Sequence, residues 1–192
     1  MKSRGAPEKS ESGGGGTPSW HCWENAWGWC GVAYTRKGIR RFTFGEEGMD
    51  ALARRFAGGG ARLIWEKAPP PAVAGAVEQI DGYFDGLLRE FSVPLDLEGY
   101  TDFTLRVWEA VSGVPYGGTV SYGELARKVG APGAARAVGR ALGANPAPVI
   151  IPCHRVIRKN GGLGGFSRGA GWKTRLLEHE RKFLWVRRLE RA

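Results

Sequence analysis

The sequence predicts an α+β chain: a small amino-terminal α/β domain over an antiparallel sheet, then a mainly helical carboxyl-terminal domain with a winged-helix-like helix-turn-helix. Three observations lead there. Residues 27–44 suggest a hairpin of two strands about a turn at Arg36-Lys37-Gly38. Ser121-Tyr122-Gly123-Glu124 has the form of a capping box, and the helix it opens is followed by Gly130-Ala131-Pro132-Gly133 and a second helical run. The charge is lopsided: residues 102–192 hold 16 Lys+Arg against 6 Asp+Glu, a surplus of +10, whereas residues 1–101 hold 12 against 13. The formal net charge of +9 thus resides in one half, the footprint of a module that faces a polyanion, nucleic acid first.

Taken in order, residues 1–20 contain a run of four glycines and few core-forming residues, and read as a flexible tail. After the hairpin, a helix around 50–56, a strand near 62–65 and a helix over 73–84 complete a domain at 21–93. Residues 94–101 form a linker. Thr101 or Asp102 then caps a helix whose apolar positions are Phe103, Val107, Trp108 and Val111, opening a domain over 102–192. The Ser121 helix runs through Leu125, Ala126 and Val129. Its successor spans 134–142 and stops at Gly143 and Asn145-Pro146. That second helix carries Ala134, Ala135, Ala137, Gly139 and Ala141, with only Arg136 and Arg140 as long polar groups. Such a smooth surface suits close approach to a narrow, shallowly read groove without sequence discrimination. Packing against a neighbouring helix would explain the same small residues.

Ile150-Ile151-Pro152-Cys153-His154-Arg155-Val156-Ile157 reads as a short buried strand or strand-to-turn segment before Lys159-Asn160-Gly161-Gly162. Neighbouring side chains on extended backbone point to opposite faces, so Cys153 and His154 do not form a direct dyad. Activation would run around a turn or through a water, with a carboxylate orienting the imidazole. A core cysteine with no chemistry fits the local sequence equally well.

These residues carry a resemblance. The chain resembles the O6-alkylguanine-DNA alkyltransferases, also called methylated-DNA protein-cysteine methyltransferases, over about residues 103–180. The likeness rests on Pro152-Cys153-His154-Arg155-Val156, Ser121-Tyr122, Ala135-Arg136-Ala137-Val138-Gly139, Asn145-Pro146-x-Pro148 and Leu176-Leu177-x-x-Glu180. It implies repair of O6-alkylguanine, and of O4-alkylthymine, by irreversible transfer of the alkyl group to Cys153. It further implies that His154 takes the thiol proton through a water, that Glu180 orients His154, and that Tyr122 donates to the leaving guanine. Asn145 would position the active-site segment. Arg136 would fill the gap left by the flipped base, with Ala134, Ala135, Gly139, Arg140, Val156, Phe166 and Ser167 around the substrate. Relatives often carry tyrosine at the place of Phe166, which bears on the breadth of alkyl groups accepted. The implied partner is double-stranded DNA, bound through its minor groove by a monomer. A nearby imidazolium or helix amino terminus would lower the Cys153 pKa.

No dinucleotide fingerprint or phosphate loop is present, and no cofactor is implied, because the sulfur itself is the reagent. Three cysteines make no disulfide framework. His21, Cys22 and Cys30 lack an evident fourth metal ligand, so no metal is assigned, while a Cys22–Cys30 disulfide and two free thiols both remain open. With no signal peptide and no apolar run of membrane length, the expectation is a cytoplasmic protein, nuclear if the source has a nucleus. Two other readings stay in view: a non-catalytic lesion-binding relative, which lacks this cysteine, and a winged-helix regulator with a structural Cys-His pair.

Overall fold

The computed structural model describes residues 18–57, 64–65 and 67–189. Strands β1 (Ser19–Asn25), β2 (Gly28–Thr35) and β3 (Gly38–Glu46) form an antiparallel meander, and the two-residue β4 (Ile64–Trp65) joins β1 in parallel. The β2–β3 turn falls at Arg36-Lys37, as read. Helices α1 (Met49–Ala57) and α2 (Pro71–Phe84) cover opposite faces. On one face Leu52 and Phe56 of α1 pack on Trp20 and Ala33; on the other Val73, Ala76, Ile80, Tyr83 and Phe84 of α2 pack on Val32, Phe42 and Phe44.

Two readings of this half need correcting, and one lies partly outside the described residues. The tail does not extend to residue 20: Ser19 and Trp20 belong to β1, because Trp20 is drawn into the α1 cluster and meets the Phe56 ring at a tilt, 5.7 Å between centroids; residues 1–17 lie outside the described residues. Arg62 and Leu63, where the fourth strand was expected to start, also lie outside them. The Cys22–Cys30 disulfide has no geometric basis. Cys22 opposes Gly31 and Cys30 opposes Trp23, so the two thiols sit on opposite faces of the sheet, one toward each cluster, and both are free.

The linker is zipped to an edge. Ile39 donates to Pro94 O and Asp96 to Ile39 O, both at 2.9 Å, while buried Asp96 accepts from Thr35 and pairs with Arg40. Thr101 caps α3 (Asp102–Ser112) by accepting from Thr104 N. The capping box closes as read, Ser121 accepting from Glu124 N and Glu124 from Ser121 N, and opens α4 (Tyr122–Lys128). Helix α5 (Ala135–Gly143) follows, and α6 (Ala170–Leu189) closes the chain. Val107, Trp108 and Val111 of α3, Leu125 and Ala126 of α4 and Val138, Ala141 and Leu142 of α5 form a second core that includes Ile151, Cys153 and Val156. Strands β5 (Val120–Ser121) and β6 (Val156–Ile157) pair in parallel, which sets the start of α4 beside the Cys153 segment.

At the Cys153 segment, where the sequence leaves strand and strand-to-turn both open, Cys153–Arg155 form a turn of 3₁₀ helix. Pro152 has no N–H to give to a ladder, and Cys153 N instead turns back to Ile151 O at 2.8 Å. Among the described residues no helix is long and apolar enough to cross a membrane.

Candidate active site

Asn145 builds the turn that holds the thiol. Its Nδ2 donates to Ile151 O at 2.8 Å and to Cys153 Sγ at 3.0 Å, and its Oδ1 accepts from Ala147 N at 2.9 Å. Between those anchors Val149 sits at φ 79°, a left-handed conformation that a β-branched residue adopts only when its surroundings impose it. The buried amide is what over-determines this segment. Cys153 itself is buried, with only a 6% exposed surface.

His154 and Glu180 are both fully buried, and His154 Nε2 lies 2.8 Å from Glu180 Oε1. Glu180 also accepts from Tyr83 Oη at 2.8 Å, from Gly117 N at 2.7 Å and from the Arg155 guanidinium at 2.9–3.1 Å. Burial pushes its carboxyl up, but the hydrogen bonds and charges of His154 and Arg155 more than offset this and hold it at about 2. An ionised carboxylate only accepts, so His154 Nε2 carries a proton toward it. Burial also holds His154 below the ordinary histidine range, against the pull of Glu180, so the ring is neutral near pH 7. Its Nδ1 is then the basic atom, and it has no hydrogen-bond partner among the described residues.

The same burial works against any lowering of the thiol pKa. No imidazolium stands beside Cys153. Burial pushes the thiol up to about 11, against the Asn145 hydrogen bond and the charge of Lys173, which pull it down. Lys173 was missed in the sequence. It is fully buried on α6, donates to Val156 O at 2.5 Å and to Gly165 O at 3.4 Å, and is pulled by burial to about 8. A signal existed: Lys173, Leu176, Leu177 and Glu180 share one helical face, which puts a lysine on an apolar stripe. Tyr83 of α2 and the Arg155 guanidinium were likewise missed as Glu180 partners.

In front of the thiol is a cavity of about 480 Å³. Tyr122, Ala135, Arg136, Gly139, Arg158, Phe166 and Ser167 share its wall with Cys153. Gly164, at φ 71°, packs so closely on Tyr122 that an added Cβ would stand 2.8 Å from the phenol oxygen. Tyr122 Oη reaches Gly165 O at 3.5 Å, and burial and the Cys153 sulfur push its phenol up. Ala134, Arg140, Asn145 and Val156 are not in the cavity wall. Val156 is fully buried in the second core, with its N–H turned to Cys153 O and its carbonyl accepting from Lys173. Arg136 and Arg140 are exposed on α5, whose inner face is Val138, Ala141 and Leu142, with Ala141 O accepting from Trp108 at 2.9 Å. The smooth residues Ala135 and Gly139 therefore face the cavity side rather than the core. Among the described residues no group of three or more His, Cys, Asp or Glu side chains could hold a metal ion.

A helix-turn-helix module with a buried thiol opening on a cavity, and a neutral histidine locked to a carboxylate behind it, defines a cysteine-centred DNA-binding class. Residues 102–182 match the family model described as the DNA binding domain of 6-O-methylguanine DNA methyltransferase. The methylated-DNA–protein-cysteine methyltransferase of Mycobacterium tuberculosis is 56% identical over 112 residues, 58% of this chain and 67% of that protein. The inducible enzyme of that name from Bacillus subtilis is 42% identical over 137 residues, 71% of this chain and 73% of that protein. The crystal structure of M. tuberculosis O6-methylguanine methyltransferase superposes with a TM-score of 0.72 at 39% identity, covering 86% of this chain and 93% of the other. A second M. tuberculosis structure, in complex with DNA, gives the same TM-score at 38% identity over 86% and 94% of the two chains. The chain belongs to the methylated-DNA–protein-cysteine methyltransferase family.

Proposed function

We propose that this protein repairs O6-alkylguanine, and O4-alkylthymine, in double-stranded DNA by moving the alkyl group onto Cys153. The observation that carries the reading is the placement of Cys153 Sγ. It is held by Asn145 at the wall of a cavity shared with Tyr122 and Phe166, beside the smooth helix α5 and in front of the His154–Glu180 pair. Residues 102–192 hold the transfer site and the basic DNA face, and 94–101 divide them from the amino-terminal domain.

The lesion reaches Cys153 by base flipping from the minor groove, with Arg136 occupying the vacated space and Ala134, Ala135, Gly139 and Arg140 along the groove. Phe166 stacks on the extruded base with Ser167 beside it, and Val156 backs this wall through its contact with Lys173. With the resting thiol at about 11, transfer requires proton removal in concert with attack. His154 Nδ1 takes the proton through a water, Glu180 fixes the ring, and Lys173 opposes the negative charge on sulfur. The sulfur–carbon bond forms as the carbon–O6 bond breaks, and Tyr122 supplies a proton or hydrogen bond to the leaving guanine. The thioether product has no easy leaving route, so each molecule acts once, as a monomer and without a cofactor, in the cytoplasm or nucleus. A time course with excess O6-methylguanine duplex tests this: transfer should stop at one methyl per chain, and continued turnover would refute it.

A further inference from the structure

We infer that the cavity at Cys153 is adapted, through Arg158, to O6-alkyl groups that carry a negative charge, such as carboxymethyl. The inference rests on the alkyl-transfer reading and names a substrate class within it. Arg158 follows the nucleophile by five positions and belongs to the cavity wall with Cys153 and Tyr122. Its backbone is pinned on both sides, its N–H donating to Gly162 O at 2.7 Å and its carbonyl accepting from Gly161 N at 2.9 Å. The side-chain stem lies against Gly162, its Cδ 3.5 Å from where a Cβ there would stand. No Asp or Glu contributes to the cavity wall, and the Arg158 guanidinium has no carboxylate partner among the described residues. The charge of Arg158 is felt at the Tyr122 phenol, which it pulls down against burial and the Cys153 sulfur. The volume of about 480 Å³ is in the range of ligand sites.

The chemistry gives Arg158 a task. In carboxymethyl transfer the Sγ–CH₂ bond forms while the CH₂–O6 bond breaks and its electron pair stays on guanine. The thiol proton leaves toward His154, a proton reaches guanine from the Tyr122 side, and the carboxylate stays on the transferred carbon, giving S-carboxymethylcysteine and guanine. That carboxylate sits one bond from the carbon under attack and repels the sulfur as its charge develops. A guanidinium in the wall offsets the repulsion, and a neutral group of the same shape gains nothing from it.

The test compares single-turnover rates of the full chain on O6-carboxymethylguanine and its neutral isostere O6-carbamoylmethylguanine, each as the free base and within one duplex. The ratio of the two rates cancels losses common to both. Arg158→Gln should lower the ratio by up to about fivefold, the upper scale of an ion pair at an exposed cation, in both formats; Arg158→Lys should restore most of it. An unchanged ratio would overturn the inference. So would a change confined to the duplex, which would mean that Arg158 meets a backbone phosphate instead. O6-methylguanine duplex separates the two levels: methyl transfer without charge discrimination defeats only this inference, whereas no methyl transfer defeats the alkyl-transfer reading as well.

Discussion

Glu180 gathers Tyr83, Gly117, His154 and Arg155 around one buried carboxylate, so removing its charge strands two partners at once. Glu180→Gln should destabilise the fold by about 3–5 kcal/mol, since Arg155 would be left as a buried charge without its counter-ion; urea denaturation at pH 7 reads this. The pH dependence has a definite sign. Glu180 is held at about 2 against an ordinary 4.5, so its stabilisation is present above 4.5 and is lost as pH falls toward 2. His154 is held below its ordinary 6.5, so the unfolded chain takes up that proton first and stability already declines below 6.5. Denaturation midpoints should therefore fall from pH 7 to 5 to 3, and in Glu180→Gln the 5-to-3 part of the fall should shrink. At the nucleophile, Cys153→Ser should abolish transfer while DNA binding persists in a gel-shift titration; lost binding would assign the residue a structural role.

Two elements frame the thiol, and each has its own test. Helix α5 turns Arg136 outward at the cavity edge, and Arg136→Ala should slow repair of duplex DNA far more than reaction with free O6-benzylguanine, which needs no flipping. Equal losses on both substrates would refute the finger role. In the cavity wall, Gly164 combines φ 71° with close contact to Tyr122. Gly164→Ala should cost about 1 kcal/mol or more in stability and displace the phenol, so that both substrates react more slowly. The elements were legible to the degree that their causes were local. Ser121-x-x-Glu124 was read directly because a capping box is settled within four residues. At Cys153 the sequence leaves strand and strand-to-turn both open because its β-branched residues argue for extension, whereas Pro152 and the Asn145 side chain, eight positions away, impose the turn. Lys173 and Tyr83 escaped notice because their contacts cross 17 and 97 positions.

Across the whole molecule, the two halves meet behind the cavity wall. Arg168, directly after Ser167, donates to Thr43 at 2.6 Å and Glu46 at 2.8 Å on β3 and lies 4.9 Å over the Phe44 ring. Phe42 N donates to Pro146 O at 2.9 Å, so β3 also touches the loop after α5. The amino-terminal sheet thus braces the wall of the site from behind, which charge counting alone did not reveal. What charge counting did reveal was the basic half, and DNA affinity should fall steeply as salt rises while varying little with sequence. The central claim is that Cys153 is the alkyl acceptor, and one measurement addresses it directly. After incubation with duplex DNA bearing O6-methylguanine, mass spectrometry of the digested protein should find one added methyl group on the peptide containing Cys153. An unmodified Cys153 peptide from a fully folded, DNA-binding protein would contradict the account.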